Sequence, residues 1–174
     1  QLVRRFFGPH HALVAHLGLT DLDAAGYSLG ARTLSRMLAR GFRPGRAILS
    51  GMGLEGLTQA DRRAGHFRAI LTNLGNHEKS SPEWFVEAFL KTSGGDAVAL
   101  NLLIDAFAGV EEDALRSWDF PIGIVCGTED FDNGNAQALA EALPQGRYYP
   151  IPGNHMSAVT KPELGDAIID FLVG

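Results

Sequence analysis

Cysteine is nearly absent from this chain: Cys126 is the single one in 174 residues. One thiol excludes an internal disulfide and any metal site built on a cysteine pair. Cys126 lies in an apolar run and reads as an inert core residue. A reducing compartment is allowed, and a cytoplasmic location is the expectation. Long hydrophobic runs are absent too. No stretch approaches the roughly 18 apolar residues of a membrane-spanning helix, so no membrane span is expected. Basic charge is scarce, with 15 Lys and Arg against 20 Asp and Glu and a net charge of −5. That balance argues against nucleic acid as a partner. The pairs Arg4-Arg5 and Arg62-Arg63 are isolated and read as solvated helix faces. His10, His11, His16, His66 and His77 have no partner at metal-ligand spacing, and no H-E-x-x-H occurs. Gly18, Gly41 and Gly53 do not form a phosphate-binding G-x-G-x-x-G. Neither a metal nor an organic cofactor is expected. Hydrophobic residues at 45% and charged residues at 20% are ordinary for a soluble globular protein of one-domain size.

The most informative stretch present is Gly26-Tyr27-Ser28-Leu29-Gly30. It follows the short run Leu22-Asp23-Ala24-Ala25 and opens into a helix-like stretch, Ala31 to Arg40. This is G-x-S-x-G in a strand–turn–helix setting. Such a turn is too tight for side chains on either side, so Gly26 and Gly30 are expected to remove Cβ atoms that would clash. It would lift Ser28 Oγ clear of a sheet and aim the next backbone N–H groups at a developing oxyanion.

Two further strand ends carry polar groups of the complementary kind. Pro121 to Cys126 is apolar and β-branched, and it runs into Gly127-Thr128-Glu129-Asp130. Arg147 to Ile151 reads as another strand and runs into Pro152-Gly153-Asn154-His155. A serine, an acid and a histidine would then meet at one edge of a parallel sheet, where open α/β sheets bind ligands. Asp132 and Glu129 stand close enough to Asp130 to take the acid's place.

On these residues the chain resembles the α/β-hydrolase family over almost its whole length. Gly-Tyr-Ser-Leu-Gly-Ala is similar to the nucleophile turn and Gly127 to Asp130 to the acid loop. Pro152 to His155, Lys161-Pro-Glu-Leu and the helix from Gly165 to Val173 are similar to the family's carboxyl end. Asn154 departs from the pattern, because many members carry a small glycine before the histidine. The resemblance implies Ser28 as nucleophile, His155 as general base and Asp130 as the group orienting His155. The Leu29 backbone N–H would supply one oxyanion donor.

The resemblance also implies what is missing. Its second oxyanion donor comes from a loop after an earlier strand, and only 27 residues precede Ser28. One absent strand would sit beside Leu22–Tyr27 and leave it an exposed apolar edge. The chain is therefore expected to be the carboxyl-terminal portion of a longer hydrolase, with the missing amino-terminal part as a partner of the same protein.

Residues 2–17 look helical, with Leu2, Phe6, Leu13 and Leu17 on one face and a break at Gly8-Pro9. Strand 22–27, helix 30–40 and strand 46–50 follow. The last runs into Gly51-Met52-Gly53, a tight turn facing the site. Residues 56–117 carry no convincing strand. Helices are expected from 58 or 59 to 74, from Ser80-Ser81-Pro82-Glu83 through Lys91, over 96–107 and over 110–117. Either serine could cap the second, and Glu83 could close a capping box on Ser80.

By the resemblance, this helical insertion is a cap, implying a lid over the Ser28 pocket. The expected fold is α/β, a partial α/β-hydrolase fold with a parallel sheet flanked by helices. Core parts occupy 1–55 and 118–174, and the cap occupies 56–117. Trp84, Phe85, Phe89, Leu102, Leu103 and Phe107 are expected to pack cap helix on cap helix, with one or two lining an apolar pocket. Tyr27 and Met52 are the candidates for touching substrate, although packing is the plainer role for both.

The expected function is a serine hydrolase cleaving an ester or related acyl bond of a small apolar substrate. Peroxidase, C–C-bond hydrolase and thioesterase readings share the triad. Two alternatives stay open: a ligand-binding receptor that keeps the fold, and a fragment inactive without its amino-terminal part.

Overall fold

The computed structural model describes residues 12–104 and 108–174. Most of the first expected helix lies outside them. Of its face, Leu13 and Leu17 are described and both are exposed.

Among the described residues, four strands form one parallel sheet in the order β1-β2-β3-β4. They are β1 (Ala24–Tyr27), β2 (Ala47–Ser50), β3 (Ile122–Gly127) and β4 (Gly146–Ile151). Gly26 pairs with Leu49, Leu49 with Ile124 and Ile124 with Tyr148, so one register runs across the sheet. Among the described residues β1 is an end strand of the sheet, and its Ala25 is exposed.

The helices are α1 (Leu29–Ala39), α2 (Leu54–Thr58), α3 (Ala60–Thr72), α4 (Pro82–Thr92), α5 (Ala97–Ile104), α6 (Glu112–Arg116), α7 (Ala136–Ala142), α8 (His155–Ala158) and α9 (Pro162–Val173). A short helical stretch at 12–16 precedes them. Helices α2, α7 and α8 were not expected from the sequence. Helix α9 starts three residues earlier than expected because Pro162 takes its first turn, where a missing N–H costs nothing.

Alternation along the strands divides the core. Ala47, Leu49, Ile122, Ile124 and Cys126 join one buried cluster with Leu34 and Leu38 of α1 and Leu139 of α7. Ile48 and Val125 point the other way, into a second cluster with Ala158 of α8 and Phe171 of α9. Both faces of β2 and β3 are therefore covered, as a parallel sheet requires. Gly123 makes room for this: a Cβ there would stand 3.1 Å from the Phe171 ring.

The chain divides into two compact units. One holds the described residues up to Thr58 together with Val110–Gly174, and the other is Gln59–Gly109. The helical unit is narrower than the 56–117 expected, because Leu57, Val110 and Leu115 are buried in the sheet-side core. Its own core is Ala64, Leu71, Leu90 and Ile104, with Phe67 and Leu100 packed against them. Phe85, Phe89 and Leu102, expected to pack helix on helix, are exposed instead. Phe107 lies outside the described residues. Ser81 caps α4, its Oγ accepting from the Trp84 N–H at 3.1 Å.

Candidate active site

Ser28 stands between β1 and α1 with φ 51° and ψ −108°. A non-glycine residue at positive φ is strained, so its surroundings must hold it there. Its N–H donates to Ser50 O at 2.9 Å, and its carbonyl accepts from the Arg32 N–H at 3.1 Å. Gly26 makes the turn possible: a Cβ there would stand 2.6 Å from the Ala31 amide nitrogen and closer still to the Gly30 carbonyl group. The matching expectation for Gly30 is corrected, since a Cβ there would meet nothing within 4 Å. Only the first glycine of the motif is required by close approach.

The structure brings Ser28, His155 and Asp130 together from the ends of β1, β4 and β3. His155 Nε2 lies 2.9 Å from Ser28 Oγ, and His155 Nδ1 lies 2.8 Å from Asp130 Oδ2. Asp130 is 5% exposed, whereas Glu129 and Asp132 are exposed, so burial distinguishes the three acids. Burial pushes the Asp130 carboxyl up, but His155, the Asp132 N–H and the Cys126 thiol outweigh it and hold it below the ordinary aspartate value. An ionised carboxylate only accepts, so the proton on this side belongs to His155 Nδ1. In the neutral ring Nε2 is then the acceptor, and Ser28 Oγ–H donates to it.

The acid is held from two more directions. The Asp132 N–H donates to Asp130 Oδ1 at 3.2 Å. Cys126 Sγ lies 3.6 Å from Oδ2, and burial, with the Asp130 charge, pushes its thiol up to about 12. Asp130, Asp132 and His155 offer ligand atoms within 4.8 Å of one another. His155 Nδ1 and Asp130 Oδ2 already face each other in the short bond, so a cation would have to displace it.

His155 opens the single turn α8, and Asn154 is its cap. The Asn154 side chain accepts from Met156 N at 3.1 Å and Ser157 N at 3.0 Å, while Ser157 Oγ accepts from Asn154 N at 3.0 Å. The departure at Asn154 thus has a physical role, a capping box that fixes the start of α8. The pairing of Asn154 with Ser157 three residues on was a readable signal for it.

A second network ties the loop after β3 to α1. Buried Asn133 donates from Nδ2 to Gly51 O at 2.8 Å and accepts on Oδ1 from Arg32 Nη2 at 2.9 Å. Arg32 Nη1 also donates to Gly56 O. Neither Asn133 nor Arg32 was singled out by motif. Their partners lie far away along the chain, so no local pattern marks them.

Leu29 is the first residue of α1, where no acceptor for its N–H exists inside the helix. Tyr27 does not simply pack: its phenol donates to the His155 carbonyl oxygen at 2.6 Å. Met52 has no exposed surface and lies in the sheet-side core, which explains it as a packing residue. Gly53 beside it fits a tight turn, since a Cβ there would stand 2.6 Å from Asn135 N. His66 is exposed, and His77 Nε2 sits 3.0 Å from Ile70 O in the helical unit. His10 and His11 lie outside the described residues.

No protein-family model and no curated protein matches the chain. Solved structures do. An esterase from Exiguobacterium antarcticum superposes with a TM-score of 0.72 at 15% identity, over 99% of this chain and 74% of that one. The enol-lactonase from Burkholderia xenovorans LB400 gives 0.68 at 19% identity, over 99% and 73%. A bromoperoxidase from Bacillus anthracis gives 0.66 at 18% identity, over 97% and 73%. With a parallel sheet, a strained serine between β1 and α1, and these neighbours, the chain has the α/β-hydrolase fold.

Proposed function

We propose that the chain is a serine hydrolase that cleaves an ester or related acyl bond of a small apolar substrate. The carrying observation is the continuous hydrogen-bonded line Ser28 Oγ–His155–Asp130, with links of 2.9 and 2.8 Å. Ser28 Oγ attacks the acyl carbon while His155 Nε2 takes its proton. The imidazolium is balanced by the Asp130 carboxylate, then gives its proton to the departing alcohol. Water enters by the same route: His155 takes its proton, the acyl–Ser28 bond breaks, and Ser28 recovers its hydrogen. The Leu29 N–H, reinforced by the positive end of α1, stabilises the oxyanion at each addition.

Exposed apolar residues adjoin Ser28 and His155 in the chain, which supports the substrate class. Leu29, next to Ser28, is 38% exposed, and Met156, next to His155, is 55% exposed. The esterase and the enol-lactonase among the structural neighbours point the same way. The test is turnover of a series of p-nitrophenyl esters from acetate to octanoate. The proposal expects turnover of the shorter acyl chains that Ser28→Ala lacks. Absence of turnover across the series would count against it.

A further inference from the structure

The geometry points to Tyr27 as a positioning residue for His155: adjacent residues of one strand end hold the two ends of one histidine. Ser28 Oγ meets the imidazole at Nε2, and Tyr27 Oη donates to the same residue's backbone carbonyl at 2.6 Å. This inference rests on the reading of Ser28 and His155 given above and adds a residue that the motif does not assign.

The two constraints act on different freedoms. Asp130 binds Nδ1 and so sets how the imidazole is rotated. It does not set where the His155 backbone stands. That backbone belongs to α8, a helix of four residues. A single turn has little cooperativity of its own and depends on outside contacts. Asn154 caps it from within the same loop, but a cap cannot fix the loop's distance from Ser28. Ala158 seats the far end of α8 in the sheet core, and the Tyr27 phenol ties the His155 end to the Ser28 side, because β1 is anchored in the sheet and Tyr27 immediately precedes the nucleophile.

Gly51 provides the fit. It has φ +59°, and a Cβ on it would stand 2.9 Å from Tyr27 Cζ and 3.2 Å from His155 Cε1. Both rings therefore rest on a backbone that only glycine offers without strain. The ring centroids of Tyr27 and His155 are 5.4 Å apart. Burial and the nearby Asp130 charge raise the Tyr27 phenol above its ordinary value, which favours its protonated, donating form. A loop shift of the order of 1 Å can cost up to about a hundredfold in rate, so this one bond can matter to chemistry without touching substrate.

The test uses Tyr27→Phe, which keeps the ring and removes the donor, beside Tyr148→Phe, which removes the phenol of a half-buried tyrosine packed against the sheet core. Two readouts are taken on the purified chain. One is the rate of fluorophosphonate labelling. The other, independent of any turnover, is the solvent-exchange rate of the downfield NMR proton between His155 Nδ1 and Asp130, identified by its loss in Asp130→Ala. Tyr27→Phe is expected to slow labelling about tenfold and to speed that proton's exchange about tenfold, whereas Tyr148→Phe leaves both within twofold. Faster exchange in a protein whose wild type does not label would uphold the positioning and overturn the hydrolase reading. Exchange unchanged in Tyr27→Phe would overturn the positioning whether or not the wild type labels. Should Tyr27→Phe fail to fold, Tyr27→4-fluorophenylalanine fills the phenol's space and removes only the donor, and its exchange rate decides the matter in the same way.

Discussion

Gly26 lies against Ala31 so closely that a Cβ on Gly26 would stand 2.6 Å from the Ala31 amide nitrogen. The contact is with backbone, which cannot swing aside, so the turn carrying Ser28 depends on it. Gly26→Ala is expected to cost about 1–3 kcal/mol of stability, as overpacking does, and to displace Ser28. Gly30→Ala meets open space inside a helix and is expected to hold stability or raise it by up to about 1 kcal/mol. Urea denaturation of the two variants separates the glycines of one motif.

Asn133 makes a sharper prediction because it gives and accepts at once. Asn133→Asp keeps an acceptor for Arg32 but sets a carboxylate oxygen against the Gly51 carbonyl. Asn133→Ala loses both bonds and leaves a buried carbonyl unpaired, for about 1–3 kcal/mol. Both variants are expected to lower the unfolding midpoint. Asn133→Asp unfolding no more easily than wild type would show that the Gly51 bond contributes nothing.

The acid dependence of stability follows from Asp130. Its folded-state carboxyl lies below the unfolded value of 3.8, through hydrogen bonds that overcome burial. A depressed folded value contributes stability that is whole above the unfolded value and is lost as pH falls through the folded one. Asp130→Asn has no carboxyl there to titrate. The stability difference between wild type and Asp130→Asn is therefore expected to narrow as pH drops below about 4. Denaturation curves at a series of acidic pH values check the direction.

Unit Gln59–Gly109 has its own polar tie. The buried Glu87 carboxylate accepts from Gly75 N at 2.9 Å and from Lys91 Nζ, which is largely exposed. Removing Glu87 deletes a buried side chain together with the acceptor of the Gly75 N–H, whereas removing Lys91 takes away a largely exposed ammonium and leaves the carboxylate its Gly75 bond. Glu87→Ala is expected to lower the thermal midpoint further than Lys91→Ala, by calorimetry.

Local chemistry was readable in the chain and long-range chemistry was not. The four strands follow from short apolar runs ending in glycine or acid. The placement of Ser28 and His155 at strand ends follows from the residues beside them. The choice of Asp130 over Asp132 or Glu129 needed the burial of one loop position, which neighbouring residues do not encode. Tyr27 and Asn133 act on partners 128 and 82 residues away, so their side chains looked like ordinary packing and loop residues. Helix α7 had a legible start, Asn135 capping Ala138, but the short stretch after it carries too few large apolar residues to show a face. The narrower helical unit turned on Leu57 and Leu115, whose apolar character says that they are buried but not in which core.

The central claim is that Ser28 is an activated nucleophile, and the intact mass of the protein after exposure to a fluorophosphonate probe tests it most directly. The account predicts one adduct on wild type, mapped to the Ser28 peptide. Ser28→Ala should carry none, and His155→Gln should label about 10,000-fold more slowly or worse. A wild-type protein that stays unlabelled, or an adduct that survives in Ser28→Ala, would contradict it.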